Sequence, residues 1–207
     1  MTASPAFAAA RASAVDVLFD RDLITLYQGL DPAECRAVIE RFDTDDRKSR
    51  GLVYRQGQVR TQEEAIKSSW DLEILDQGEW RPVFRAIHPR IQACIQHYLS
   101  RSPILQSFDL QVTGYKIQMY PRGEGYFRWH ADSTGAGVQS RQVAMILYLN
   151  DVAQGGETEF FHQGIKVAPR AGQLLLFPAG WNYMHRGEVP VSQDKYIVQT
   201  FVRIKDA

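Results

Sequence analysis

From Phe108 to the C-terminus the sequence is a series of short apolar or alternating runs, each closed by turn residues. The runs span 108–120, 126–131, 142–149, 157–161, 164–167, 173–177, 182–187 and 195–204. Pro121-Arg122-Gly123, Asp151 to Gly156, Pro169 to Gly172, Pro178 to Gly180 and Pro190 punctuate them. Short strands at this spacing indicate an all-β sandwich or barrel. The first half has a different period. Leu23 to Tyr27 reads as a short strand ended by Gly29. Asp31-Pro32 reads as a helix start, with Asp31 as N-cap and Pro32 at the first helical position. Cys35, Val38, Ile39 and Phe42 give that helix one apolar face. Trp80 to Leu99 reads as a long helix, which Pro89 should kink or divide. Residues 51–76 lack a clear period, as functional loops often do. The expected organisation is a mobile N-terminal tail over 1–20 and a single domain over 21–207. Within that domain 21–107 supplies helical support and a substrate loop, and 108–207 the β core.

Composition narrows the functional classes. The chain has 207 residues, with 24 Lys plus Arg balanced by 24 Asp plus Glu. Zero formal charge argues against a dedicated nucleic-acid binder, which shows a basic excess. With 44% hydrophobic and 23% charged residues the chain is ordered and globular. Cys35 and Cys94 are two cysteines far apart, neither a disulfide framework nor a zinc pattern, and they fit a reducing cytoplasm. No apolar run is long enough to span a bilayer.

Three of the five histidines read as structural or surface residues: His88 and His97 within the long helix, and His162 at a turn. His130 and Asp132 form His-x-Asp at the end of one strand, where both side chains can point the same way. His185 sits at the end of a later strand. Two histidines and one carboxylate on one face of a metal make the facial triad of non-haem Fe(II) oxygenases. Lys195, ten positions after His185, opens an otherwise apolar strand. Its ordinary role is a solvated strand end; its alternative role is the cation that meets one carboxylate of 2-oxoglutarate.

With these residues in place the sequence resembles the 2-oxoglutarate- and Fe(II)-dependent dioxygenases, in particular the catalytic domain of prolyl 4-hydroxylases. The segments that carry the resemblance are Ile24 to Cys35, Tyr120 to Asp132, Arg141 to Asn150, Gly155-Gly156-Glu157-Thr158-Glu159-Phe160, Pro169 to Phe177 and His185 to Lys195. The resemblance implies a double-stranded β-helix (jelly roll, cupin-like) with N-terminal helices supporting one sheet. It implies His130, Asp132 and His185 as iron ligands and Lys195 as partner of the distal carboxylate of 2-oxoglutarate. Tyr120 and Tyr148 match tyrosines that line the co-substrate pocket, and Thr200, on the Lys195 strand, is a further candidate. The implied cofactors are Fe(II), 2-oxoglutarate and O₂, with ascorbate as reductant, and the implied products succinate and CO₂. Residues 47–80, the 133–141 loop and the surroundings of Trp181 are expected to select substrate, with Arg128, Trp129, Arg141, Trp181 and Trp70 as candidate contacts.

Three functions stay open at this point. The first is hydroxylation of a prolyl residue in a peptide or protein. The second is the same mechanism on a free amino acid or other small molecule. The third is a catalytically silent module that binds metal or 2-oxoglutarate. No nucleic-acid or membrane partner is expected.

Overall fold

The computed structural model describes residues 15–55 and 58–205. The chain enters through a hairpin of β1 (Asp16–Arg21) and β2 (Ile24–Gln28). Asp22 and Leu23 make its two-residue turn at φ 52° and 59°. Positive φ at both central residues gives a turn whose twist matches the flanking strands. The tail expected over 1–20 is therefore corrected at its C-terminal end, where 16–20 are paired strand; residues 1–14 lie outside those described. Helix α1 (Pro32–Asp43) starts where the Asp-Pro pair places it, and Glu34 accepts from the Asp31 N–H at 2.8 Å. Cys35, Val38 and Phe42 are its buried face.

The segment expected to be irregular is instead a set of short strands. Preceded by β3 (Ser49–Arg50), these are β4 (Val53–Arg55), β5 (Gln58–Thr61), β6 (Lys67–Ser68) and β7 (Trp70–Ile74). After a 3₁₀ turn (Gly78–Trp80), helix α2 (Arg81–Ser100) runs unbroken past Pro89, contrary to the expected division. Ile87, Ile91, Cys94 and Ile95 lie buried on both sides of the proline, and this burial holds the helix together where one backbone donor is missing. A short α3 (Pro103–Gln106) follows.

The remaining strands are β8 (Leu110–Val112), β9 (Tyr115–Tyr120), β10 (Tyr126–His130), β11 (Arg141–Tyr148), β12 (Thr158–Phe160), β13 (Ile165–Val167), β14 (Gln173–Pro178), β15 (His185–Gly187) and β16 (Lys195–Ile204). They form two antiparallel sheets. The larger runs β1-β2-β14-β11-β16-β9-β7-β3, with β8 also paired to β16; the smaller runs β13-β12-β15-β10-β6. The fold is the expected double-stranded β-helix with helices on one sheet.

The apolar run of β11 is explained by burial on both faces of the large sheet. Met145 and Leu147 pack in a core with α1 and α2, while Ala144, Ile146 and Tyr148 face a second core with Phe160 and Ile165 of the small sheet. Gly172 fastens the helical layer to this sheet. Its carbonyl accepts from the N–H groups of Gly29 and Leu30, and its own N–H donates to Tyr148. At φ +81° a Cβ there would lie 1.9 Å from the Leu30 carbonyl oxygen, so only glycine fits. Among the described residues no helix is long and apolar enough to cross a membrane.

Candidate active site

His130 closes β10, and His185 opens the antiparallel neighbour β15 directly opposite it. Two residues past His130 the chain turns, and Asp132 folds back between the two rings. The turn is held by Ser133 N–H donating to the Ala179 carbonyl (3.1 Å) and by Arg141 Nη1 donating to the Asp132 carbonyl (3.2 Å). His130 Nε2 lies 3.6 Å from Asp132 Oδ1, and His185 Nε2 lies 3.6 Å from Asp132 Oδ2. Phe127 stacks on His130 at 3.5 Å between centroids, and Phe177 meets His185 edge-on at 4.7 Å.

These side chains fit a divalent metal. One potential ligand atom from each residue lies within 4.8 Å of the other two. The Nδ1 atoms of both rings face backbone carbonyls, of Arg128 at 2.7 Å and Tyr183 at 3.0 Å. A proton on each Nδ1 leaves each Nε2 a lone pair aimed at the centre. His130 Nε2 and Asp132 Oδ2 are buried without a hydrogen-bond partner, an arrangement costly in an empty polar pocket and natural around a cation. Burial and the adjacent His185 hold the His130 pKa well below its usual value, which keeps it neutral for ligation.

A second cluster lies between the sheets. Lys195 is buried and donates to the Gly156 carbonyl at 2.7 Å. Its ammonium stands 5.3 Å from the Tyr120 ring centroid and 6.0 Å from that of Tyr148. Burial pushes the Lys195 pKa down to about 8, opposed by Glu157 and Glu188. Tyr148 donates to Thr158 Oγ1 at 2.7 Å and Tyr120 to Gln118 Oε1 at 3.0 Å; burial raises both phenol pKa values. Thr200 is not part of this cluster. The pleat sets it on the face opposite Lys195, and its hydroxyl donates to the Thr113 carbonyl at 3.0 Å.

A cavity of about 800 Å³ opens beside the triad, with His130, Asp132, Arg141 and Trp129 among its lining residues. Arg128 is exposed over the Tyr126 ring, and Trp181 is 73% exposed, 6.4 Å from His162. Trp70 is not at the cavity: it packs against the helical core with Arg50 over its ring. The residue that sequence reasoning missed is Lys67, which lines the cavity. It is buried and paired with Asp71 at 2.9 Å, and Asp71 also accepts from Ser69 (2.7 Å) and Gln118 (3.3 Å). The alternation in Trp70-Asp-Leu-Glu-Ile was the available signal for the strand that carries Asp71.

Two facing antiparallel sheets with a His-x-Asp and a distant histidine converging between them form a jelly roll with a candidate metal site. The sequence model of the 2OG-Fe(II) oxygenase superfamily matches residues 115–203, which contain the triad and Lys195. This segment is a 2OG-Fe(II) oxygenase domain, and the chain is a dioxygenase that uses Fe(II), 2-oxoglutarate and O₂. No curated protein matches the sequence significantly. Among solved structures the chain is similar to a viral collagen prolyl hydroxylase from Paramecium Bursaria Chlorella virus-1 in complex with 2OG. The identity is 18% and the TM-score 0.63, over 91% of this chain and 99% of that one. It is similar to a prolyl-4-hydroxylase from Pseudomonas putida at 21% identity and TM-score 0.62, covering 87% and 92%. A prolyl hydroxylase from Trichoplax adhaerens, in complex with a hypoxia inducible factor oxygen degradation domain peptide fragment, has 16% identity and TM-score 0.70, covering 87% and 83%.

Proposed function

We propose that this chain hydroxylates an unactivated C–H of a prolyl residue in a peptide or protein, with succinate and CO₂ as co-products. The observation that carries the reading is the convergence of His130, Asp132 and His185, with buried polar atoms that have no other partner. In this reading the three residues hold Fe(II), and Lys195 holds the distal carboxylate of 2-oxoglutarate. Tyr120 and Tyr148 wall that carboxylate site. Bound iron, with 2-oxoglutarate and O₂, supplies the oxidative decarboxylation and the oxidant for the C–H bond. The chain's own residues do the positioning. Phe127, Phe160 and Phe177 pack against the two imidazoles and exclude water. Carbonyls of Arg128 and Tyr183 fix the ring tautomers. The catalytic unit runs from the β1 hairpin to the end of β16. The prolyl substrate is supported by the shared fold of the three prolyl hydroxylases, one of them peptide-bound.

The test is succinate formation by anaerobically purified, Fe(II)-loaded protein after oxygen is admitted, with and without proline-containing peptides. Wild type is expected to turn over and to be stimulated by such a peptide. His130→Ala should abolish succinate formation, and Lys195→Ala should raise the 2-oxoglutarate requirement. Absence of 2-oxoglutarate turnover in folded, iron-loaded wild type would overturn the proposal.

A further inference from the structure

A buried cation in the wall of the metal cavity has no role in the chemistry assigned so far. Lys67 sits on β6 directly opposite Phe127 of β10, the strand that ends on His130. Its ammonium is buried and lies 5.4 Å from the Phe127 ring centroid, and the same ring stacks on the His130 imidazole at 3.5 Å. The ammonium is thus no more than about 9 Å from that imidazole, a span of two to three extended residues. Lys67, Gln118, Phe127, His130 and Asp132 line the same cavity. Gly51 reserves space for the ammonium. A Cβ there would lie 3.1 Å from Lys67 Nζ and 2.3 Å from Ser69 Oγ, so a side chain would crowd the group.

An ammonium has three N–H donors. Among the described residues its hydrogen-bond acceptor is Asp71, through Oδ2 at 2.9 Å. The acceptors beside it are already engaged. Asp71 Oδ1 accepts from Ser69 (2.7 Å), Oδ2 accepts also from Gln118 Nε2 (3.3 Å), and Gln118 Oε1 accepts from Tyr120 (3.0 Å). This stretch of wall therefore has N–H groups to offer. A buried donor without an acceptor costs free energy that an arriving oxygen returns. The oxygen that fits is uncharged. Asp71 already neutralises the ammonium, and a carboxylate docked on Lys67 would stand beside the Asp71 carboxylate. A peptide carbonyl meets both conditions. At a prolyl residue it is also the only backbone hydrogen-bonding group, because the nitrogen carries no hydrogen.

We propose that Lys67 is a substrate-binding residue that donates a hydrogen bond to a backbone carbonyl of the polypeptide, close in sequence to the residue presented to the metal. The inference rests on the prolyl-peptide reading above.

The experiment is calorimetric titration of the full chain, loaded with Mn(II) and 2-oxoglutarate. The probes are acetyl-Ala-Ala-Pro-Ala-Ala-amide and analogues in which each backbone carbonyl in turn is a thiocarbonyl, a poorer acceptor of similar shape. In wild type at least one analogue is expected to bind about 5- to 20-fold weaker than the parent, part of the strength of a charge-assisted hydrogen bond. Lys67→Met/Asp71→Asn removes both charges, and its folding is checked by circular dichroism. One of those penalties should fall below about twofold in this double variant, while penalties at other carbonyls persist. A purely structural role for Lys67 would instead weaken every peptide alike. Gly51→Ala, which crowds the ammonium with both charges kept, should lower the same penalty. Equal binding of the whole set to wild type overturns the proposal without any variant, and so do penalties that all survive in the double variant. Failure of every peptide to bind wild type overturns the prolyl-peptide reading instead.

Discussion

With Lys195 as the proposed partner of 2-oxoglutarate, its burial ties 2-oxoglutarate affinity to pH in a defined window. Its side chain is almost wholly buried, and its pKa falls from 10.5 to about 8 against the opposing pull of Glu157 and Glu188. At about 1.4 kcal/mol per pKa unit, the ammonium form costs the unliganded protein about 3 kcal/mol. A carboxylate docked on the ammonium reverses that shift, so binding above pH 8 takes up a proton. The Kd for 2-oxoglutarate is therefore expected to stay flat between about pH 6.5 and 7.5, then rise about tenfold per unit above about pH 8. Tyr120 and Tyr148 face the same ammonium, and burial moves both phenols upward, away from this window. The assay is calorimetric titration of 2-oxoglutarate into Mn(II)-loaded protein in buffers of differing ionisation enthalpy. Proton uptake should grow from about 0.1 at pH 7 to about 0.9 at pH 9. Lys195→Arg supplies the control, because a guanidinium stays charged throughout. In the unliganded protein the same shift makes stability rise with pH between about 8 and 10.5, where the unfolded state binds the extra proton. A wild-type Kd that stays flat to pH 9.5, or the same slope in Lys195→Arg, would refute the assignment.

Three further outcomes follow from the site. Asp71→Asn leaves the buried Lys67 ammonium without its counter-ion at 2.9 Å and should cost about 3–5 kcal/mol in urea unfolding; a loss under about 1 kcal/mol would mean the pair is solvated. Mn(II) at a hundred times its Kd should stabilise wild type by about 2.7 kcal/mol in thermal melts, reversibly with chelator, and should not stabilise His185→Ala. Trp181→Ala removes a side chain that is 73% exposed, so stability should change by less than about 0.5 kcal/mol. If Trp181 touches substrate, that variant raises the KM for the peptide; an unchanged KM removes it from the substrate surface.

The second half of the chain was legible because its information is local. Turn residues bound each strand, and His-x-Asp places two candidate ligands with a single strand end. Lys195 stood out as a charge at the head of an apolar strand. The failures share a cause, which is structure decided by distant contacts. The turn Asp22-Leu23 lacks the usual glycine, and a leucine at φ 59° is set by the strands on either side. Strands β6 and β7 take partners from remote parts of the chain, β10 and β9, and β3 pairs with β7; only β4 and β5 pair with each other locally. Pro89 by its local rule can divide a helix, yet the buried residues of α2 keep Arg81–Ser100 one helix. Thr200 lines the cavity beside the triad, on the pleat face opposite Lys195, with its hydroxyl bonded to Thr113.

The two buried lysines resolve the same electrostatic problem in opposite ways. Lys67 has a permanent carboxylate partner in Asp71, which is itself fixed by Ser69 and Gln118. A carboxylate arriving there would meet a neutralised pair and would have to displace an anion that is part of the fold. Lys195 is equally buried but is met by the Gly156 carbonyl and the faces of two tyrosine rings. A carbonyl and two ring quadrupoles lessen the burial penalty without cancelling the charge. Gly156 itself adopts φ +77°, a conformation suited to glycine, in presenting that carbonyl. A dianion that reaches Lys195 supplies what burial withheld, and the cost carried in its absence is released as binding free energy. Folding stability favours the Lys67 arrangement and ligand affinity favours the Lys195 one. For that reason the proposed anchor for the co-substrate is Lys195, and not the lysine beside the triad's stacking Phe127.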